Sequence, residues 1–384
     1  MLNNKTVAVV VSAFNEETQI EMVLNTMPSF VDKIVVVNDC STDRTLDVLK
    51  KYIENNLYSS PSSTPTPTTN STLSNFSNSQ YREADRIVLE MYKKEVQALV
   101  PFEIISNIKN QKIVILNNKI NGGKGMCVAV GYSWCRDLDF DCVATMDGDG
   151  QMDPSELYSL CWPIVSSNDN NGSNGNNDNE RVDFVKGNRL MHKSAFYVMP
   201  KIRFIGNSIL TILTKIASGY WHVSDTQTGY ATISKRALKY IRLDKLYARY
   251  GVHNDILVKL NIANCVIKEI EIRPVYRIGE KSKMKIAKVI PRISWLLIRS
   301  FFYRLWFKHF FRDFHPLFLL YNLSFLLFLI ILPLSLSILH DVFIQNIHVQ
   351  TGSYIVFVIL SLGCFQSLLF AMWMDIQNNE RLYK

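Results

Sequence analysis

Two long uncharged runs in the last quarter of the chain constrain its fold more than any other feature. No Asp, Glu, Lys or Arg occurs from Pro316 to Leu339 or from Thr351 to Met374. Each run is about 24 residues long, so that a helix rising ~1.5 Å per residue would cross a hydrocarbon core of ~30 Å. We therefore predict two transmembrane helices, at 316–339 and 352–374. A buried helical hairpin of a soluble domain is the alternative.

The charges around these runs predict an orientation. The connection HDVFIQNIHVQ has no Lys or Arg. Basic residues are concentrated before the first run, at Lys281, Lys283, Lys285, Lys288, Arg292, Arg299, Arg304, Lys308 and Arg312. Because Lys and Arg favour the cytoplasmic side of a membrane, we predict that residues 1–280 and the tail at 375–384 are cytoplasmic.

The segment 281–315 interleaves these basic residues with large aromatic ones. The aromatic residues are Trp295, Phe301, Phe302, Trp306, Phe310 and Phe311. This pattern predicts basic amphipathic helices in the headgroup region, with the aromatic faces inward and the cationic groups reaching phosphates. Packing of a basic helix on the preceding domain is the alternative. The net charge of +8 suggests an anionic partner, and its concentration here favours membrane lipids over nucleic acid.

Residues 1–280 alternate apolar runs with helix-like segments. We predict strands at Val7–Ser12, Lys33–Asn38, Lys112–Leu116, Asp141–Met146 and Val182–Lys186, with helices near 17–26, 42–52, 123–136 and 154–165. Apolar strands that alternate with helices indicate a parallel sheet covered on both faces. Two polar segments, near 59–80 and 166–180, are predicted to be disordered insertions because the alternation resumes after each.

Polar motifs follow four of these runs, at the strand ends where such sheets bind ligands. They are AFNEE, NDCSTDRT, NNKINGGKG and DGDGQ. In the last motif, Asp147 and Asp149 place two carboxylates one residue apart, a pattern that can hold Mg²⁺ or Mn²⁺. Gly148 between them would allow a close approach of the backbone to a ligand. An EF-hand calcium loop is excluded because its Gly and Glu positions hold Met152 and Tyr158.

Together these motifs resemble family-2 glycosyltransferases of the GT-A fold, in the branch that makes dolichyl- or polyprenyl-phosphate sugars. The matching stretches are VVVSAFNEE, IVVVNDCSTDRT, NGGKGMCVAVGY, ATMDGDGQMDP, VKGNRL, DTQTGY, VYRIGEKSKM and the basic run into RDFHP. The two polar insertions and Ser12 depart from the family pattern. The resemblance implies a mostly parallel α/β sheet with helices on both faces. It also implies inverting, metal-dependent transfer from a UDP- or GDP-linked nucleotide sugar to dolichyl or polyprenyl phosphate.

The resemblance also implies roles on the donor side. The donor-binding residues would be Ala13, Asn15, Glu16, Asp39, Lys124, Asp147 and Gly148. Among these, Asp39 would accept hydrogen bonds from the base, and Lys124, at the start of a helix, would reach the base or a phosphate. Asp147 and Asp149 would hold the metal, with Gln151 near the metal or the acceptor phosphate.

The residues needed on the acceptor side depend on whether the acceptor is a phosphate or a hydroxyl group. A lipid phosphate is already anionic at neutral pH, so transfer of a sugar to it needs cationic groups and no strong general base. The candidates for binding that phosphate are Arg189, Arg203, Arg277 and Lys281. A hydroxyl acceptor would need a base, for which Asp225 and Asp255 are the candidates, whereas His253 is expected to form local hydrogen bonds. The catalytic candidates are therefore Asp149, Gln151, Asp225 and Asp255.

Three other functions stay open on the sequence. A family-2 transferase could act on a different lipid or glycan hydroxyl. A processive polysaccharide synthase is disfavoured, because the sequence has no QxxRW-type motif and two spans provide little channel. A non-catalytic membrane scaffold that binds nucleotide is disfavoured by the intact acid pair at Asp147 and Asp149.

Overall fold

The computed structural model describes residues 1–55, 81–107, 110–167, 181–276, 286–344 and 350–384. The predicted insertion at 59–80 and residues 168–180 of the second insertion lie outside these ranges. Arg277 and Lys281 lie outside them too, as does the side chain of Arg203.

A single mixed sheet forms the centre of the N-terminal part. Within the described ranges its strands are β1 Val7–Ala13, β2 Lys33–Asn38, β3 Phe102–Asn107, β4 Asn110–Asn118, β5 Cys142–Asp147, β6 Phe184–Asn188, β7 Ala231–Ser234 and β8 Ile267–Glu271. Their order is β3-β4-β2-β1-β5-β7-β6-β8. The pairs β4–β2, β2–β1, β1–β5 and β6–β8 are parallel, and β3 and β7 run antiparallel to their neighbours.

Helices lie along the sheet and continue into the C-terminal part. They are α1 Ile20–Asn25, α2 Thr45–Asn55, α3 Tyr81–Ala98, α4 Lys124–Asp137, α5 Leu157–Ser166, α6 Ala195–Val198, α7 Lys201–Ser218, α8 Lys235–Tyr240, α9 Val252–Ile262, α10 Ile286–Trp306, α11 Pro316–Phe343 and α12 Thr351–Glu380. Short 3₁₀ turns occupy Pro154–Glu156 and Leu243–Lys245, and a π-helical turn at Phe307–Arg312 follows α10.

The apolar strands bury side chains on both faces of the sheet. In β1, Val10 packs into a core with α4, α8 and α9, whereas Val9 and Val11 face the core formed with α1, α2 and α5. Burying each such side chain contributes about 1.5–3 kcal/mol. The five predicted strands are therefore confirmed, and so is the fold class, a mostly parallel α/β sheet with helices on both faces.

The helices α11 and α12 pack along each other, and their outer surfaces are apolar and exposed. By length and composition both could cross a membrane, and only 6% of the most apolar stretch of α12 is buried. A hairpin buried in a soluble domain would hide this surface, so the exposure disfavours that alternative. Both helices extend beyond the predicted spans of 316–339 and 352–374, to Phe343 and Glu380.

Candidate functional site

The strand ends bring the predicted motifs to one edge of the sheet. Because β4, β2, β1 and β5 are parallel, their carboxyl ends lie side by side. In the register, Ala13 pairs with Asn38, Asn38 with Asn117, and Ser12 with Asp147. The loops that follow these four strands therefore surround a single rim, as the sequence predicted.

An ion pair between Lys124 and Asp147 lies at this rim. The Lys124 Nζ donates to Asp147 Oδ2 at 2.6 Å, and the Ser12 hydroxyl donates to Asp147 Oδ1 at 2.9 Å. Both charged side chains are 21% exposed, so solvent and ligands can reach them. Lys124 is the first residue of α4, and the N–H groups of Gly125 and Met126 that follow it donate to the Ala248 carbonyl at 2.8 and 3.2 Å. The pair therefore provides a cation beside a carboxylate where four strand ends meet.

Glycines fix the path of the chain into α4. Gly123 has a φ of +86°, a conformation that side chains rarely adopt. A Cβ at Gly125 would lie 1.9 Å from the Tyr247 carbonyl oxygen, so the helix can start here only with glycine. These two residues place Lys124 at the rim.

Asp39 holds the same loop. Its carboxylate is buried and accepts N–H groups of Gly122 at 2.9 Å and Gly123 at 2.8 Å, together with the Asn118 amide at 3.0 Å. The structure therefore gives Asp39 a role that the sequence analysis missed, which is to fix the loop that carries Lys124. Its predicted contact with a nucleotide base stays a prediction.

The loop after β1 is tied to the loop after β2. Asn15, at a φ of 56°, receives the Thr42 N–H on its side-chain oxygen at 2.8 Å. The Glu16 N–H donates to the Thr45 hydroxyl at 2.8 Å. Ala13 is buried in the core with its carbonyl bonded to the Asp39 N–H, so its side chain does not line an open pocket as predicted. Asn15 and Glu16 lie at the rim and stay candidates for donor binding.

Asp149, the second acid of the pair, is largely buried near the Asp147 carboxylate. Burial and the neighbouring Asp147 carboxylate together raise the pKa of Asp149 to about 6. One Asp149 oxygen accepts the Gln151 N–H at 3.0 Å, and the Gln151 side-chain nitrogen is buried without a hydrogen-bond partner in the described part of the chain. Two crowded carboxylates fit a divalent cation, because Mg²⁺ and Mn²⁺ take oxygen ligands and complete their shells with phosphate and water oxygens. The unpaired Gln151 amide is a donor, so it suits an oxygen of a ligand and not the cation. Within the described ranges, no group of three or more His, Cys, Asp or Glu could hold a metal.

Packing against β1 requires glycine at position 148, whereas the sequence analysis attributed this glycine to the close approach of a ligand. A Cβ there would lie 2.9 Å from Ile20 Cδ1 and 3.2 Å from the Ser12 carbonyl oxygen. The Gly148 N–H donates to that same carbonyl at 2.9 Å. The glycine therefore lets the acid-bearing turn lie flat against the end of β1, whether or not a ligand is bound.

A second ion pair, between Arg189 and Asp225, lies beyond the end of β6. The guanidinium donates to Asp225 from Nε at 2.8 Å and from Nη2 at 3.1 Å. Burial would raise the pKa of Asp225, but Arg189 outweighs it and the pKa is lowered. A carboxylate held by a guanidinium is a poor proton acceptor, which argues against the predicted role of Asp225 as a general base. Arg189 Nη1 also donates to the Tyr276 hydroxyl at 3.3 Å.

Lys186 is a cationic residue that the sequence analysis did not single out. It is 1% exposed within β6 and donates to the Thr228 carbonyl at 2.6 Å. Burial lowers its pKa to about 8, although Asp225 and Glu269 counteract this. The signal was a lysine inside an apolar strand, which is uncommon unless the charge has a partner.

Two residues of α9, Asp255 and His253, have surroundings that differ from those predicted. Asp255 accepts the Tyr247 N–H at 2.9 Å and forms an ion pair with Lys259 one turn along the helix, so it too is a poor candidate for a base. His253 was expected to form local hydrogen bonds, but its buried Nε2 has no partner among the described residues. Burial, and then Lys124, lower its pKa well below the usual value, which leaves the imidazole neutral. A Cβ at Gly229 would lie 2.9 Å from this Nε2 and 3.0 Å from the Lys124 Nζ.

A family comparison agrees with this geometry. Residues 8–62, from β1 through α2 into the following segment, match the family model for glycosyl transferase family 2. The chain carries a glycosyltransferase family 2 domain. The family and the enzyme class predicted from the sequence are thus confirmed.

Relatives of this glycosyltransferase span most of its length. It is 25% identical over 273 residues to a UDP-N-acetylglucosamine–dolichyl-phosphate N-acetylglucosaminyltransferase of Methanococcus voltae, covering 70% of this chain and 86% of the relative. It is 24% identical over 314 residues to the dolichyl-phosphate beta-glucosyltransferase ALG5D of Trichomonas vaginalis, covering 78% and 74%. Both relatives are, by name, dolichyl-phosphate glycosyltransferases.

Among solved structures, it is similar to glucosyl-3-phosphoglycerate synthase from Mycobacterium tuberculosis. The match to the complex of that enzyme with UDP has 15% identity and a TM-score of 0.44, and covers 78% of this chain and 80% of the other. Another crystal of the same synthase contains Mn²⁺, UDP and glucosyl-3-phosphoglycerate.

Two helices of this glycosyltransferase, α7 and α10, present an exposed apolar face. Ile205, Ile209 and Ile212 of α7 are each more than half exposed, and Trp295 and Tyr303 of α10 are too. The opposite face of α10 packs on α7 and α9 through Ile293 and Leu297. The alternative of packing on the preceding domain is therefore observed for one face of α10, and the placement of the other face in the headgroup region stays a prediction.

Two basic residues of this segment are not where the sequence predicted them. Arg304 and Lys308 were expected to reach headgroup phosphates, but both are almost fully buried. Arg304 pairs with Asp375 of α12 at 2.8 Å, and Lys308 donates to Asn261 of α9 at 2.8 Å. Their charges serve contacts between helices, which no local sequence pattern indicates.

Proposed function

We propose that this glycosyltransferase transfers a sugar from a UDP-linked donor to dolichyl or polyprenyl phosphate, with inversion at the anomeric carbon and a requirement for Mg²⁺ or Mn²⁺. The observation that carries the proposal is the arrangement of charges at one end of the sheet. Lys124 pairs with Asp147 at 2.6 Å, and the Asp147 carboxylate also contributes to the raised pKa of Arg189. Cations near an acid pair suit a reaction that brings two phosphate groups together.

On the donor side, Asp147 and Asp149 would hold the metal, which would offset the negative charge of the departing nucleoside diphosphate. Lys124, at the start of α4, binds the diphosphate from its other side. Gln151, whose side-chain nitrogen lacks a partner in the described residues, donates to a donor or acceptor oxygen. The loop with Asn15 and Glu16 borders the nucleoside. The UDP form is preferred over GDP because the Methanococcus voltae relative is named for it.

On the acceptor side, a phosphate oxygen attacks the anomeric carbon from the face opposite the nucleotide. The bond from that carbon to the diphosphate oxygen breaks, and its electron pair leaves with the nucleoside diphosphate. Arg189 binds the acceptor phosphate, with Arg203, Arg277 and Lys281 as further candidates. A hydroxyl acceptor would need a base, but Asp225 and Asp255 are both paired with cations. This pairing favours a phosphate acceptor over a hydroxyl one.

The apolar helices support a membrane setting for the reaction. We assign residues 1–280 as the catalytic domain, 281–315 as the juxtamembrane segment, 316–374 as two membrane spans and 375–384 as the tail. The positive charge before the first span supports a cytoplasmic location for the catalytic domain and both ends. The exposed residues of α7 and α10, such as Ile209 and Trp295, contact membrane lipids and bring the site close to a lipid acceptor.

The direct test incubates the full-length protein with radiolabelled UDP- and GDP-sugars and polyprenyl phosphate. We expect an acid-labile lipid product that needs Mg²⁺ or Mn²⁺ and that Asp149→Asn abolishes. Asp139→Asn is the matched control, because Asp139 is an exposed acid paired with Lys235. Product only with hydroxyl lipids would instead identify a hydroxyl acceptor. Donor binding without any turnover would identify a nucleotide-binding scaffold.

A further inference from the structure

The residues after the last apolar helix return to the sheet. The Ile267 N–H of β8 donates to the Leu382 carbonyl at 2.8 Å, and the Lys384 N–H donates to the Ile267 carbonyl at 2.9 Å. Leu382 is buried in the core beside α9. Because β8 is the last strand of the sheet order, residues 382–384 pair with an edge that would otherwise be open.

This tail contacts a buried acid of β8. The Tyr383 hydroxyl donates to Glu269 Oε2 at 3.3 Å. Glu269 is 8% exposed and also accepts the Ser224 N–H at 3.0 Å, the Ser224 hydroxyl at 2.9 Å and the Asp225 N–H at 3.1 Å. One carboxylate therefore joins the tail to the turn that carries Asp225.

The same turn fixes the cation proposed to bind the acceptor. Asp225 holds the guanidinium of Arg189 through two side-chain hydrogen bonds and accepts its backbone N–H at 3.2 Å. A continuous series of contacts thus runs from Tyr383 through Glu269 and Asp225 to Arg189. A shift of Glu269 would move the turn, and the turn would move the guanidinium.

A buried polar cluster anchors α12 just before the tail. Asp375 and Arg304 are both fully buried, and Arg304 also donates to the Ala217 carbonyl at 3.0 Å. The Trp221 Nε1 donates to Asp375 at 3.1 Å, and one turn later Asn379 bonds to the catalytic domain. The second apolar helix is therefore fixed to the catalytic domain where the tail begins, so the tail leaves from a defined point.

We propose that the tail, through Tyr383 and Glu269, is a brace that positions Arg189 for the acceptor phosphate. Tyr383 and Glu269 are then positioning residues, because they act through Asp225 and do not touch the substrate. This proposal rests on the proposed function only in naming the acceptor phosphate as the ligand of Arg189. Its structural part, that the tail holds the 224–225 turn, stands independently of what the enzyme transfers.

The test uses the full-length protein and two variants. Tyr383→Phe removes one hydroxyl and keeps the ring, while Glu269→Gln keeps the shape and replaces one acceptor oxygen with a donor. Arg381→Ala is the control, since Arg381 is an exposed neighbour in the same tail. Hydrogen–deuterium exchange at the Ser224 and Asp225 amides reports on the turn, and the KM values for donor and acceptor report on the reaction.

We expect Tyr383→Phe to raise the acceptor KM about fivefold and to speed exchange at the 224–225 amides, with the donor KM unchanged. Glu269→Gln should do both more strongly, and Arg381→Ala neither. Unchanged exchange in both variants would overturn the brace. So would faster exchange with donor and acceptor KM altered equally, because that pattern describes general loosening. If the parent transfers no sugar to a lipid phosphate, the proposed function fails, and the exchange measurement still decides whether the tail holds the turn.

Discussion

Asp225→Asn separates two roles for this residue, a general base and the partner of a buried arginine. In the structure the carboxylate accepts five N–H groups. They come from Arg189 Nε at 2.8 Å, Arg189 Nη2 at 3.1 Å, and the backbones of Arg189, Gln227 and Thr228 at 3.2, 3.2 and 3.3 Å. Asparagine has the same shape but one accepting oxygen, so its amide nitrogen would face donors on one side.

The expected cost follows from burial. The Asp225 side chain is 2% exposed and that of Arg189 20%, so removing the negative charge leaves a largely buried, uncompensated guanidinium. Breaking a buried pair in this way costs about 3–5 kcal/mol. For a domain of this size, each kcal/mol lowers the Tm by about 2–4 °C, so we expect a drop on the order of 10 °C.

The pH dependence of this difference has a definite sign. Because the folded pKa of Asp225 is lowered, the pair contributes its full stability above the ordinary carboxylate pKa of about 3.9. That contribution is lost as the pH falls through the folded pKa. The gap in free energy of unfolding between the parent and Asp225→Asn should therefore be constant near neutral pH and shrink in acid.

The assay is thermal unfolding of the full-length protein in detergent, together with steady-state kinetics. Asp139→Asn is the matched control, because Asp139 pairs with Lys235 with 57% of its side chain exposed and should lose little stability. A Tm for Asp225→Asn equal to that of the parent, together with a large fall in kcat, would refute the argument. That result would identify Asp225 as a base whose pairing with Arg189 adds little to stability.

Three further predictions concern the donor side and the buried lysine. Removing divalent metal with EDTA should abolish transfer, and so should Asp149→Asn with Mg²⁺ present; full activity in EDTA would contradict the metal assignment. Gly229→Ala would bring a methyl group within 3.0 Å of the Lys124 Nζ, so UDP affinity measured by calorimetry should fall about tenfold, and an unchanged affinity would show that Lys124 does not bind the nucleotide. Lys186 has a folded pKa of about 8, so its charge is disfavoured in the fold, and this penalty is relieved as the pH rises from 8 towards the ordinary value of 10.5. The stability of Lys186→Met relative to the parent, measured by denaturant unfolding, should therefore fall by about 3 kcal/mol over that range, whereas a constant difference would place the lysine outside this environment.

The sequence indicates the parts of the fold that depend on local pattern. The five predicted segments became strands because their apolar residues are buried on both faces of the sheet, as β1 is through Val9 and Val10. Strands β3, β7 and β8 were not predicted. Strand β7, ATIS, has only four residues, and β8, IKEIE, has three charged residues and two apolar ones. Neither pattern stands out from a loop without knowledge of its partner.

In the site, too, the sequence predicted which residues follow each strand but not which residues pair across the fold. The sequence predicted that Asp147 and Asp149 lie at this rim, because a parallel sheet places the residues after each strand at one edge. The hydrogen-bond and ion-pair partners of the charged residues were not predicted, because these partners are far apart in sequence. Asp39 bonds to a loop more than eighty residues on, and Arg304 to a helix seventy-one residues away. A sequence shows which charges exist, and only packing shows which of them neutralise each other.

The reading of the basic segment illustrates the same limit. The nine Lys and Arg residues of this segment were predicted to reach headgroup phosphates from amphipathic helices. The structure instead buries Arg304 and Lys308, where they hold α12 against the catalytic domain. An alternating basic and aromatic pattern describes an amphipathic helix, but it does not determine which of its faces meets protein.

The central claim is that an oxygen of a lipid phosphate forms the new bond to the sugar, with the donor diphosphate departing from the acid pair. The most direct measurement supplies polyprenyl phosphate labelled with heavy oxygen on its phosphate and analyses both products by mass spectrometry. We predict that the lipid-linked sugar keeps all of the label, that the released nucleoside diphosphate carries none, and that Asp149→Asn forms neither product. Label-free glycolipid, or nucleoside diphosphate released together with free sugar, would contradict the account.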